Sequence, residues 1–221
     1  GGEAGRQGAL DLLDGTSVSL AGPITLDADA TIASGTAGGT LTLAGTINTT
    51  TNGYALTLRG NGVTFVSGPI AGGGDVTKTG SGIVVFSAAN TYTGNTFVSQ
   101  GTLVGSTASF PGNISNYGTV VFNTTTDETW SNVVRGGGAL VKTGPGRLVL
   151  EGSNTFSGAT TISNGTLAIA TNDRISSISD LFIVNGTFDL NGFTENLGDL
   201  TLINGAITNT GGSSIQYLAA A

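Results

Sequence analysis

The side chains able to do chemistry are few enough to be taken one at a time. The chain has no histidine and no cysteine, which removes the commonest general base, the commonest metal ligand, thiolate chemistry and disulfides. Its only lysines, Lys78 and Lys142, each precede a Thr-Gly pair. A pair of ammonium groups suits an anionic glycan. The simpler reading, and the one preferred, is an outward side chain whose stem covers neighbouring chain while the ammonium stays in water. Asp27 and Asp29, at i and i+2, and Asp75, behind Gly72-Gly73-Gly74, hint at Ca²⁺, but fall short of the six to eight oxygens that calcium takes; turn capping explains them better. Asp173, Arg174, Asp180 and Asp189 are the nearest approach to the clustered acids and base of a glycan-cleaving site, and they are spread over several turns. Lys78-Thr79-Gly80-Ser81 lacks a Ser-x-x-Lys partner, and the glycine runs, Gly72-Gly73-Gly74 and Gly80-x-Gly82, lack the Gly-Lys-Ser/Thr of a phosphate loop, so these are turn glycines. Trp130 and Tyr117 would stack on sugars if exposed, although core or edge packing is commoner. Thr40/Thr42 and Thr124/Thr126 read as solvent-facing strand residues, since no Thr-x-Thr recurs at a fixed spacing to make an ice-binding ladder. No catalytic, metal or cofactor residue is expected.

Bulk properties narrow the classes further. Across 221 residues the net charge is −7, with 38% hydrophobic and 10% charged residues and 38 glycines. Seven bases against fourteen acids leave little cation for a phosphate backbone, so nucleic-acid binding is excluded. A mean hydropathy of +0.22 is too apolar for a disordered tail. No stretch approaches the ~20 apolar residues of a membrane helix, and the first ten residues show no targeting pattern.

The elements that must position these side chains come from an internal duplication. Shifting the sequence by 64 residues aligns 72–105 with 136–169 without a gap, and 16 of 34 positions are identical. The recurring positions are Gly72/Gly136, Gly74/Gly138, Lys78/Lys142, Gly80/Gly144, Gly82/Gly146, Asn90/Asn154, Gly94/Gly158, Gly101/Gly165 and Leu103/Leu167. Between glycines the apolar residues alternate, Val84 and Phe86 matching Leu148 and Leu150, which is the period of a strand. Such short strands, cut at close intervals by glycine or asparagine, fit stacked coils that share a continuous core. If 64 residues hold three coils, each coil has about 21 residues and the chain about ten coils, forming one β-solenoid domain over 1–221. Asn90 and Asn154 are expected to turn inward at corners and satisfy backbone groups. Residues 1–17 are a cap or lead-in, with 8–14 either a helical turn or an irregular strand.

Lys78-Thr79-Gly80, Asn90-Thr91-Tyr92, Gly94, Thr96 and Gly101-Thr102-Leu103, repeated as Lys142-Thr143-Gly144, Asn154-Thr155-Phe156, Gly158, Thr160 and Gly165-Thr166-Leu167, resemble the autotransporter-associated β-strand repeat. The resemblance implies a right-handed parallel β-helix exported to the outer surface of bacteria as a passenger of type V secretion. The repeat carries no catalytic residues to transfer. Such passengers are followed by an outer-membrane barrel, whose ~10-residue lipid-facing strands are not seen here; a fragment, a processed product or a separately secreted protein is expected.

These observations favour a non-catalytic extracellular scaffold, an adhesin stalk or surface-fibre subunit. Unpaired coil ends would favour head-to-tail self-association, with a glycan or host-surface molecule as the further partner and no membrane insertion by this segment. The alternatives are a glycan-cleaving β-helix and an ice- or glycan-binding module.

Overall fold

The computed structural model describes residues 10–12, 15–35, 38–50, 52–212 and 217–219. Within them the chain forms parallel strands of two to five residues, with one 3-10 turn at Thr107–Ser109. It divides into two compact units, Gly1–Asn113 and Ile114–Ala221.

In the first unit the chain visits three parallel sheets in rotation. Ala30–Ala33, Thr40–Leu43 and Ile47–Asn48 form one coil, after which Leu56–Arg59 returns to lie beside Ala30–Ala33. The second unit is wound the same way, and each unit contributes five strands to its longest sheet, about ten coils in all. The fold is therefore a parallel β-solenoid. Pairing Leu41 with Thr64, Val76 with Leu56 and Ile83 with Thr102 gives coils of 23, 20 and 19 residues, bracketing the expected length.

Strand period decides what fills the interior. Alternate residues point inward, so side chains stack coil upon coil in columns. Ile24, Ile47 and Ile70 form one column in the first unit, and Leu148, Leu167 and Phe188 another in the second. Thr40 and Thr42 face outward, half-buried, and pair with Val63 and Phe65, so no threonine ladder continues there. Thr124 is buried, whereas Thr126 is exposed.

Close stacking explains many glycines. A Cβ added at Gly45 would run into the Gly22 carbonyl, one at Gly68 into that of Gly45, one at Gly94 into that of Gly74, and one at Gly158 into that of Gly138. Each coil corner leaves no room for a side chain on the next. The same constraint corrects the turn reading of Gly82 and its copy Gly146. Both are buried, and neither takes a positive φ. A Cβ at Gly82 would run into the Gly62 carbonyl, and one at Gly146 into the Thr126 carbonyl. Gly146 is therefore glycine because the preceding coil lies against it, not because the turn demands a left-handed residue there.

At the start of the chain, Leu10–Asp11 is a short strand paired with Ile32 and Ala33. That segment is a lead-in strand, not a helical turn; residues 1–9, 13 and 14 lie outside the described residues.

Candidate functional site

The polar side chains worth weighing sit at coil corners, beginning with the two lysines. Lys78 occupies an inward column between Leu58 and Val98, and Lys142 one between Phe122 and Ile162. They are 2% and 0% exposed. The outward placement expected from sequence is therefore corrected. Strand parity required it, because Lys78 points the same way as buried Val76, and Lys142 the same way as buried Leu140.

Burial of an ammonium needs acceptors, and the corner supplies three. Lys78 Nζ donates to the carbonyls of Thr79 at 2.8 Å, Gly80 at 2.6 Å and Gln100 at 3.3 Å. Lys142 Nζ donates to those of Thr143 at 2.7 Å, Gly144 at 2.8 Å and Asn164 at 3.3 Å. Gly80 and Gly144 take φ of +74° and +77°, a backbone conformation that side chains resist. On the following coil a Cβ at Gly101 would lie 2.7 Å from Lys78 Nζ, and one at Gly165 2.9 Å from Lys142 Nζ. Lysine, the glycine two residues on and the glycine 23 residues on thus form one steric and electrostatic unit. Burial pushes both ammonium groups down to about 8, with the Glu128 charge pulling Lys142 back up.

The paired asparagines turn inward as expected and strap adjacent coils. Asn90 Oδ1 accepts from the Ile70 amide at 2.8 Å while its Nδ2 donates to the Ser109 carbonyl at 2.8 Å. Asn154 Oδ1 accepts from the Val134 amide at 2.8 Å, and its Nδ2 donates to the Gly152 and Arg174 carbonyls at 3.0 and 2.9 Å. Tyr92 and Thr96 share a buried hydroxyl hydrogen bond of 2.6 Å; Phe156 cannot make it, and Thr160 meets Ser179 at 3.3 Å instead.

Residues 76–104 and 140–169, which contain both corners, match the family model of the passenger-associated-transport-repeat. The chain thus carries two segments similar to a passenger repeat. Two Serratia marcescens proteins, each named "Extracellular serine protease", are similar to it, at 45% identity over 62 residues and 44% over 63. Each match covers 26% of this chain and only 6% of the relative. No solved structure matches the chain.

Outside those two segments, the acidic residues are used mainly as caps. Asp29, Asp75 and Asp180 accept from the amides of Ala55, Asn95 and Asp199, 2.7–2.9 Å away on the following coil. Asp27 is exposed beside Asp29. The four residues weighed as a glycan-cleaving cluster do not converge on one site. Asp173 holds Asn196, Arg174 reaches the Glu151 carbonyl and Ser153, Asp180 caps its amide, and Asp189 pairs with Arg147 at 3.0 Å. Trp130 is core, 1% exposed and edge-on to Phe122, whereas Tyr117 is 69% exposed.

Glu195 was not singled out by its sequence context, yet it is 1% exposed. Its carboxyl accepts from the Arg174 and Ile175 amides at 2.9 and 3.1 Å. Burial pushes it up most strongly and the Asp173 charge adds to that; both amides and the Arg174 charge pull it down, leaving it at about 7. Register was the available signal, since Glu195 lies 20 residues beyond Ile175, as Asn154 does beyond Val134 and Asn90 beyond Ile70.

Proposed function

We propose that this chain is a non-catalytic scaffold of a secreted, surface-displayed passenger, an adhesin stalk or surface-fibre subunit. One observation carries the reading: the buried lysines and asparagines of both repeats bind backbone of their own or adjacent coils. Lys78, Lys142, Asn90 and Asn154 are held by corner carbonyls and amides, where they join coils instead of facing a substrate. Stability then resides in neighbour interfaces repeated along the chain, which suits a part that bears load. Contacts with glycans or a host surface, and self-association through unpaired sheet edges, complete this reading.

The test has two parts. Intact bacteria expressing the protein are treated with an added protease; loss of the chain supports surface display, and full protection overturns it. The purified chain is then incubated with pectin, alginate and host glycans. Unsaturated products or new reducing ends in any of them would replace the scaffold with an enzyme, whereas the expected result is no turnover.

A further inference from the structure

Two exposed apolar side chains of the second unit stand on one corner column. Ser115 pairs with Arg135 and Arg135 with Thr155, a register that sets Tyr117 beside Gly137 and Gly137 beside Ser157. On the next coil Thr160 pairs with Leu181, and Ser179 Oγ donates to the Gly158 carbonyl at 2.7 Å, which sets Ile178 beside Ser157. Tyr117 is 69% and Ile178 68% exposed. They stand three coil spacings apart, about 14 Å at ~4.8 Å each. Exposed apolar residues scattered singly are ordinary; these two close the ends of one trough.

The floor between them is low. Gly137 and Ser157 are exposed, and Ala139 and Ala159 run along one flank. Gly136 takes a φ of +108°, and a Cβ at Gly138 would run into the Gly118 carbonyl, so the fold requires glycine at both. Gly137 answers neither need. Its φ is not positive, and a Cβ there would meet only Ser157 Oγ, at 3.9 Å.

Arg135 and Thr155, both exposed, form the other flank. Arg135 Nε donates to Ser115 Oγ at 2.9 Å, the one hydrogen bond of its side chain among the described residues. That bond anchors the guanidinium and leaves its two terminal nitrogens for a carboxylate, which arginine takes bidentately.

The first copy of this corner lacks both groups. Gly53, Ala71, Gly73 and Thr93 stand 64 residues before Tyr117, Arg135, Gly137 and Ser157. Ala71 pairs with Thr91 as Arg135 does with Thr155, and a Cβ at Gly73 would lie 3.4 Å from Gly53 Cα. The backbone of the corner recurs without the ring and the guanidinium, so neither is needed to hold it.

We propose that the trough between Tyr117 and Ile178 is a subsite for a carboxylated glycan, with Tyr117 stacked on a sugar ring and Arg135 paired with a carboxylate. This rests on the scaffold reading and names the ligand class of its glycan contact. Tyrosine offers an apolar face with a polar tip, and Thr155 and Ser157 add hydroxyls. A peptide strand would need free backbone groups, whereas the Gly138 and Ser157 amides already donate to the Asn116 and Gly136 carbonyls.

The 221-residue chain is titrated calorimetrically with tetragalacturonate, sialyllactose, neutral cellotetraose and hexaglutamate. Circular dichroism checks that each variant keeps its strands. At least one carboxylated glycan is expected to bind tenfold or more tightly than cellotetraose. Tyr117→Ala, which removes the platform, and Gly137→Leu, which fills the floor, should each weaken that binding at least tenfold. Arg135→Gln should reduce it to the level of cellotetraose. No binding of either carboxylated glycan at millimolar concentration, binding unchanged in Tyr117→Ala or Gly137→Leu, or tighter binding of hexaglutamate overturns the proposal. Turnover and surface display are read in other experiments, so the subsite and the scaffold reading fail separately.

Discussion

Asp189 and Glu195 lie six residues apart in the second unit, are 2% and 1% exposed, and titrate in opposite directions. Burial pushes both carboxyls up. At Asp189 it is outweighed by the Thr210 amide and hydroxyl at 3.0 and 2.8 Å, Arg147 at 3.0 Å and the Asn191 amide at 3.0 Å, which hold the group down at about 2. Glu195 has two backbone amides and stays at about 7. Both side chains are hidden from solvent, but Glu195 sits among more protein than Asp189. A heavier burial penalty and fewer donors together leave it high, while four donors, one of them charged, overcome a lighter penalty at Asp189. The inner surface of the coil tolerates a charge only where the corner is built around it.

The largest test of that rule is at the lysine corners. Lys142→Met keeps most of the stem but removes the ammonium from the Thr143, Gly144 and Asn164 carbonyls. Thr143 still accepts from the Thr124 amide at 3.2 Å and Asn164 is exposed. The cost is therefore that of lost charge-assisted hydrogen bonds, and a loss of about 3 kcal/mol is expected in urea unfolding. Lys78→Met should match it closely, because its three contacts are the same. A loss under about 1 kcal/mol at both would show that burial alone, and not donor matching, governs these corners. In the intact chain each folded ammonium, held near 8, releases its proton before an unfolded one at 10.5. The unfolded state therefore binds more protons between those values, and stability rises with pH across that window.

Glu195 gives the opposite slope. Its folded value of about 7 stands above the ordinary 4.5, so between them the folded chain holds a proton that the unfolded chain has released. Stability contributed by this group is complete below pH 4.5 and is lost as pH rises to 7, by about 3 kcal/mol. Urea titrations at pH 4.5, 6 and 7.5, followed by the fluorescence of Trp130, the only tryptophan and a core residue of the same unit, read it directly. Glu195→Gln should flatten the slope. A slope that survives in the glutamine variant would move the cause elsewhere.

Asp189→Ala is the next smaller effect. It strands the Asn191 and Thr210 amides and should cost about 2 kcal/mol at neutral pH. In the wild type that contribution is complete above the ordinary 3.8 and is lost as pH falls toward about 2. Acid unfolding of Asp189→Asn should lack this step while keeping the slope due to Glu195. Loss of both together would mean that the two carboxyls titrate as one group.

Much of this was legible beforehand, because the duplication fixes positions by physical need. Glycines at close approaches, asparagines at corners and alternating apolar residues all recur in register, and the coil length follows from them. What a recurring glycine is for was harder to read: Gly144 and Gly146 look alike in sequence, yet the first supplies a positive φ and the second yields space to the Thr126 carbonyl. The lysines were misplaced because a charged side chain was assigned outward by type, although the parity of Val76 and Leu140 pointed it inward. Glu195 escaped for a different reason. It lies outside the duplicated segments, and only pairing across coils shows that it stands to Ile175 as Asn154 stands to Val134. The Arg147–Asp189 pair joins residues 42 apart, two coils along, which no local pattern encodes.

That pair supplies the finest test of donor counting. Arg147 is 29% exposed, and Asp189 keeps three other donors when the guanidinium is removed. A half-wet ion pair contributes no more than about 1 kcal/mol, so Arg147→Met should lower stability only slightly at neutral pH. The Asp189 carboxyl should nevertheless titrate higher, because burial is then opposed by three donors in place of four. NMR titration of its carboxyl carbon checks this. If Asp189 moved up as far as Glu195, the guanidinium charge alone would separate the two acids, and the amides at both corners would count for little.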